Sequence, residues 1–167
     1  MKNQHFLIIT SLLISLFIYL FYRTEKTVVN QIFISVVSFN TFFEMREHVT
    51  KILPLNEHMI YSLPEALWVF CITLTSKFLF MKIANREFNL LYAPLLFSIG
   101  LELFQLLHLT NGRFDFWDIG LSTLFWAIAN YLVKNASIRQ NMRTPFNSRS
   151  LVCLLSYLIV YLAHVWK

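Results

Sequence analysis

FLIITSLLISLFIYLFY, residues 6–22, decides the fold class of this chain. It carries no charge, and a helix of about 20 such residues matches the hydrocarbon thickness of a bilayer. Only Lys2 and His5 bring charge or an imidazole ahead of it. A cleavable signal would end in small residues of A-x-A type. This run ends in Leu20-Phe21-Tyr22-Arg23, so an uncleaved membrane helix is expected. The rest of the 167 residues has the same character: 57% are hydrophobic, 17% aromatic and 14% charged, against a usual charged share of about 25%. Mean hydropathy is +0.57. A water-soluble domain of this size cannot hide so much apolar surface, and a disordered chain has the opposite composition. Three glycines and four prolines are too few for a turn-rich all-β fold.

Further apolar runs are expected to span at about 63–81, 90–109, 116–133 and 151–166. Pro64 suits the first turn of the second span, where its missing N–H costs nothing. Between the first two runs, Val28, Val29, Ile32, Phe33, Val36 and Val37 recur at helical spacing, with Asn30, Gln31, Ser35 and Ser38 opposite. The 28–43 stretch therefore reads as an amphipathic helix, on the membrane surface or packed across the bundle, with a sixth span as the alternative that would alter the topology. The expected fold is all-α: one polytopic membrane domain over 1–167, with about five transmembrane helices. Lys82 and Arg86 follow the second span, and Lys134, Arg139, Arg143 and Arg149 follow the fourth. The positive-inside rule puts both loops in the cytoplasm, the 108–116 loop outside, the N-terminus inside and the C-terminus outside. Cys71 and Cys153 fall inside apolar runs, where a thiol behaves as a small hydrophobe.

Polar residues gather in LELFQLLHLTNGRFDFWDIGLST, residues 101–123. Glu102 sits about seven residues, or roughly 10 Å, below the outer end of its expected helix. An acid at mid-helix in lipid costs roughly 2.5–3.5 kcal/mol, less at this depth, so such a residue faces the bundle interior and has a partner. Gln105 is its neighbour at i+3. Arg113 follows in the Asn111-Gly112-Arg113 turn, and Asp115 and Asp118 open the next helix. Two readings stand side by side: a ligand-binding or catalytic pocket, or a helix cap at Asp115 or Asp118 with an Arg113–Glu102 ion pair. Glu65 opens the second span on the same side, as a helix N-terminal acid or as a further pocket carboxylate. Trp68 and Trp117 are expected in the interfacial aromatic belt.

No zinc spacing joins His48, His58 and His108, although His108 with Asp115 or Asp118 is a conceivable ligand set. No nucleotide or dinucleotide fingerprint is present, so neither metal nor cofactor is expected. The net charge of +5 forms no basic stripe of the nucleic-acid-binding kind. Asn135-Ala136-Ser137 matches the glycosylation pattern in an expected cytoplasmic loop.

Over about 63–131 the chain resembles the VanZ-like family, small multi-pass proteins named for a teicoplanin-resistance factor. The resemblance rests on Glu102 and Gln105 as Glu-x-x-Gln, then Gly112-Arg113, then Asp118 at a helix start with Asp115 between. The family often continues with Asn and glycines where this chain has Ser122 and Phe125. It often shows Pro-Asp-Lys and a later His where this chain has Pro64-Glu65-Ala66 and Val69. The resemblance implies an outward-facing polar pocket built from Glu102, Gln105, Arg113, Asp115, Asp118 and Glu65, in a bacterial cytoplasmic membrane, with a link to antibiotic resistance. Its expected ligand is a lipid-linked envelope precursor or a glycopeptide-related molecule; Arg113 suits a phosphate or carboxylate. Whether any reaction occurs stays open; Glu102 is the candidate general base. The alternatives are a non-catalytic scaffold that docks a membrane protein partner through 28–43, or a small proton-coupled transporter. Lipids are the expected surroundings in each case.

Overall fold

The computed structural model describes residues 2–83, 86–109, 113–132, 140–142 and 148–159. It is mostly helical: α1 (Lys2–Tyr22), α2 (Val28–Val37), α3 (Phe39–Ile52), α4 (Glu57–Ser76), α5 (Ala93–Leu106), α6 (Phe116–Leu132) and α7 (Ser148–Leu158). Three short strands accompany them: β1 (Leu79–Ile83), β2 (Arg86–Asn89) and β3 (Gln140–Asn141).

By length and composition α1 and α4 can cross a membrane, and α2 with α3 make a third candidate if that bent pair is one span. At about 1.5 Å per residue, the 14 residues of α5 and the 17 of α6 fall short of a bilayer core of about 30 Å. Of the fifth expected span, 160–166 lies outside the described residues. So do Lys134, Arg139 and Arg143 of the basic loop, the 135–137 sequon and the Asn111-Gly112 turn.

Several expected boundaries move, each for a local reason. Helix α4 begins at Glu57 because the Asn56 side chain caps it, accepting the Met59 N–H at 2.9 Å. Pro64 therefore lies inside α4 rather than in its first turn. There it cannot supply the helical bond to the carbonyl of Ile60. Helix α4 also stops at Ser76 rather than 81, because the apolar run continues as strand β1. A short apolar run reads alike as helix end or strand. Strand β1 pairs antiparallel with β2, Met81 opposite Phe88, and parallel with β3, Leu79 opposite Gln140. Lys82 and Glu87, opposite one another, form an ion pair at 3.5 Å. This small sheet departs from an all-α fold.

The expected single helix over 28–43 is two helices. Ser38 takes φ 80° and ψ 152°, a conformation that breaks the helical hydrogen-bond run, and the axis turns by 114° there. Thr27 caps α2, accepting the Asn30 N–H at 3.4 Å.

Helix α4 is the hub, packing against α1, α5, α6 and α7. Phe70, Cys71 and Leu74 meet Ala129 of α6, with Leu7, Ile8 and Leu12 of α1 against them. On another face Trp68, Val69 and Ile72 meet Trp126 and Tyr157. Trp68 is thus buried, its indole N–H donating to the Ser156 carbonyl of α7 at 3.0 Å. This corrects its expected place in an interfacial belt: the indole finds both apolar contacts and an acceptor inside the bundle. Trp117 is exposed. Large apolar side chains cover the outside, among them Phe6, Leu13, Leu96, Leu103, Leu124 and Leu155. Small hydroxyls fill the inside: Ser62, Ser76, Ser98, Ser122 and Thr73 are fully buried. An apolar exterior around an interior of serines suits lipid better than water.

Asn30 ties the first two helices together. It is fully buried, and its amide donates to the carbonyls of Tyr19 at 3.1 Å and Thr24 at 2.8 Å. Those bonds satisfy the end of α1 and fix the residues between, Arg23 included. Asn30→Ala should lower unfolding free energy in detergent by about 1–3 kcal/mol. Asn30→Asp, which turns an acceptor toward two carbonyls, should cost at least as much. Unchanged melting in both variants would remove Asn30 from this role.

Candidate functional site

Chain direction brings one end of the bundle together. Helix α4 starts there, α5 finishes there, α6 starts there and α1 finishes there, while the strands lie beyond the other ends of α4, α5 and α6. Glu65 lies two turns into α4, Glu102 near the last turn of α5, and Asp118 in the first turn of α6. Each offers one carboxylate oxygen, and these oxygens lie within 4.8 Å of one another.

Each carboxylate is held differently. Glu65 Oε1 accepts the Ser98 hydroxyl of α5 at 2.7 Å. Glu102 Oε2 accepts the Asp115 backbone N–H at 3.1 Å. Glu102 is fully buried, and its Oε1 has no hydrogen-bond partner. Asp118 Oδ1 is also buried with no donor in good geometry, with the Ser62 hydroxyl and the Glu102 carboxyl next to its carboxyl group; the Ser122 hydroxyl is buried without a partner. Ser62 precedes Glu65 by three residues, Ser98 precedes Glu102 by four, and Ser122 follows Asp118 by four. Such spacings share a helix face, so each acid carries a serine beside it into the interior.

The nearby cation is Arg23. Its guanidinium lies over the rings of Tyr19 and Tyr61, 5.3 and 4.8 Å from their centroids, and its charge acts on Glu65 and Asp118. Cation–π contact of this kind holds a guanidinium where an apolar environment would otherwise reject it. The ion pairs among the described residues join Arg46 to Glu25, Lys51 to Glu47 and Lys82 to Glu87. None of them reaches the three acids. Two carboxylate charges about 5 Å apart repel by roughly 3 kcal/mol at an effective dielectric of 20. One arginine cannot offset three such charges.

The other residues singled out in the sequence stand apart. Asp115 caps α6: its Oδ1 accepts the Trp117 N–H at 2.9 Å and its carbonyl accepts the Asp118 N–H at 3.2 Å. It meets Glu102 through its backbone rather than its carboxylate. Arg113 is exposed and makes no ion pair with Glu102 among the described residues. Gln105 is half-buried one turn beyond Glu102, with no side-chain hydrogen bond among the described residues. His108, at φ 56°, is exposed, and His58 lies against the Trp117 ring at 5.1 Å.

Sequence reasoning missed Arg23, Tyr19, Ser62 and Ser98. The serines were legible as small polar residues three or four positions from an acid. Arg23 was not, because its approach to Glu65 and Asp118 is purely tertiary. Comparison with protein-family models, curated proteins and solved structures finds no match for this chain.

A double-mutant cycle on Arg23 and Glu65 measures their coupling. Arg23→Gln should destabilise the folded chain more when Glu65 is present than in a Glu65→Gln background, with a coupling of about 0.5–3 kcal/mol. Strict additivity would mean that Arg23 does not serve Glu65.

Proposed function

We propose that the chain is a VanZ-like multi-pass protein of a bacterial cytoplasmic membrane, whose polar end binds a cell-envelope ligand from the outer side. The observation that carries this reading is the convergence of Glu65, Glu102 and Asp118 at one end of the bundle. Acids buried in a helical membrane bundle mark functional sites more often than structural ones. In this reading the bundle crosses the membrane about five times, with α1 and α4 among the crossings.

The chemistry suits a ligand with two kinds of group. Arg113, exposed on the connection between α5 and α6, takes a phosphate or carboxylate. The carboxylates and buried serines, lying deeper, accept hydrogen bonds from hydroxyl, amide or ammonium groups. A lipid-linked envelope precursor or a glycopeptide-related molecule carries both. In this reading the site binds its ligand, and Glu102 is the candidate general base should a reaction occur there.

One observation favours a second reading, a scaffold for a membrane protein partner. At the α2–α3 bend Ile32, Val36 and Phe39 are exposed together with Phe43, an apolar face that a partner or the lipid surface can cover.

Glu102→Gln separates function from folding. Folded yield in detergent should match the parent while the envelope or glycopeptide-resistance phenotype is lost. Loss of folded protein would assign Glu102 to structure alone, and retention of both would end its role. Orientation has its own check: a membrane-impermeant thiol reagent added to intact cells should label Asn111→Cys and spare Asn141→Cys. The reverse labelling would invert the topology.

A further inference from the structure

The three acids raise a question that ligand recognition leaves unanswered, namely what offsets their charge. We propose that Glu65, Glu102 and Asp118 form a binding site for one divalent, oxygen-preferring cation of about Ca2+ size. Three lines of observation lead to it, none of them dependent on the envelope-ligand reading.

The first is unmet bonding capacity. Glu102 is fully buried, its Oε2 held by the Asp115 N–H, its Oε1 without any donor. Asp118 Oδ1 beside it is also buried with no donor in good geometry, the Ser62 hydroxyl and the Glu102 carboxyl being its close polar neighbours. Leaving buried oxygens unpaired is costly, and a cation among them satisfies several at once.

The second is donor chemistry. The ligand atoms that approach one another are all carboxylate oxygens, with hydroxyl oxygens adjacent and no imidazole or thiolate in the group. Hard cations select such a set, whereas Zn2+ and Cu2+ favour nitrogen and sulfur. The three oxygens lie within 4.8 Å of one another, close enough to share one ion; Mg2+ dehydrates reluctantly and keeps several waters, so a buried set of protein oxygens suits Ca2+ better.

The third is charge. Arg23 supplies one positive charge near Glu65 and Asp118. A divalent ion added to that arginine neutralises three carboxylates, whereas a monovalent ion leaves a residual negative charge in an apolar bundle. The serines then play a second part: Ser98, already bonded to Glu65, orients a ligand as outer-shell partners do in metal sites.

The test uses the full chain purified in detergent, stripped with a chelator and titrated with CaCl2 by calorimetry, alongside melting curves. No envelope ligand is present, so the outcome is separate from that of the ligand reading. One Ca2+ should bind per chain and raise the melting temperature. Affinity should fall on the order of tenfold or more in Asp118→Asn and Glu102→Gln, and remain unchanged in Glu47→Gln on the exposed side of α3. Should Glu102→Gln fail to fold, Asp118→Asn and Glu65→Gln decide the matter. Absence of Ca2+ binding in the parent chain, as expected if shared protons neutralise the acids, would overturn the proposal. So would unchanged affinity in folded Asp118→Asn.

Discussion

A carboxylate buried as completely as that of Glu102 sets conditions on everything packed around it. One oxygen takes the backbone N–H of Asp115, and that bond is available only because Asp115 turns the chain into α6 and caps it. The same turn delivers Asp118 beside Glu102, and α4 delivers Glu65 from the other side. Each of these placements depends on helix ends: α5 must end, α6 must begin, and α4 must already be two turns long. The end of the bundle is therefore organised by where helices start and stop as much as by what packs between them.

The remainder of the fold supports that arrangement. Helix α4 is largely buried because it touches four other helices, whereas α1 turns most of its surface outward. Apolar side chains outside and hydroxyls inside reverse the pattern of a water-soluble bundle. Serines permit close helix approach, and at Ser62, Ser98 and Ser122 they also place a hydroxyl beside each acid. Arg23 belongs to the same design. Asn30 pins the end of α1 by two amide bonds, and the rings of Tyr19 and Tyr61 flank the guanidinium that follows.

Much of this was legible in the sequence, for definite reasons. Glu102 stood out because a charge within an apolar run is rare, and Asp118 lay close behind it across a short connection. The apolar runs announced α1 and α4, since length and composition suffice for helices of that kind. The break at Ser38 was not legible: a serine with φ 80° leaves no mark in an amphipathic pattern. Nor was the strand at 79–83, whose apolar run continues that of α4 without interruption. Pro64 misled for a related reason, because Asn56 starts the helix earlier than the apolar run does. Arg23 was hidden by distance along the chain, which only folding removes.

Convergence of Glu65 and Ser98 across the α4–α5 interface is the point on which the site stands. It can be measured by pairing Glu65→Cys with Ser98→Cys in native membranes and applying a short thiol crosslinker. Because Ser98 donates to Glu65 at 2.7 Å, the pair should cross-link efficiently, while Glu65→Cys with Leu96→Cys, on the exposed face of α5, should not. Equal cross-linking of the two pairs, or none in the first, would contradict the convergence of the acids.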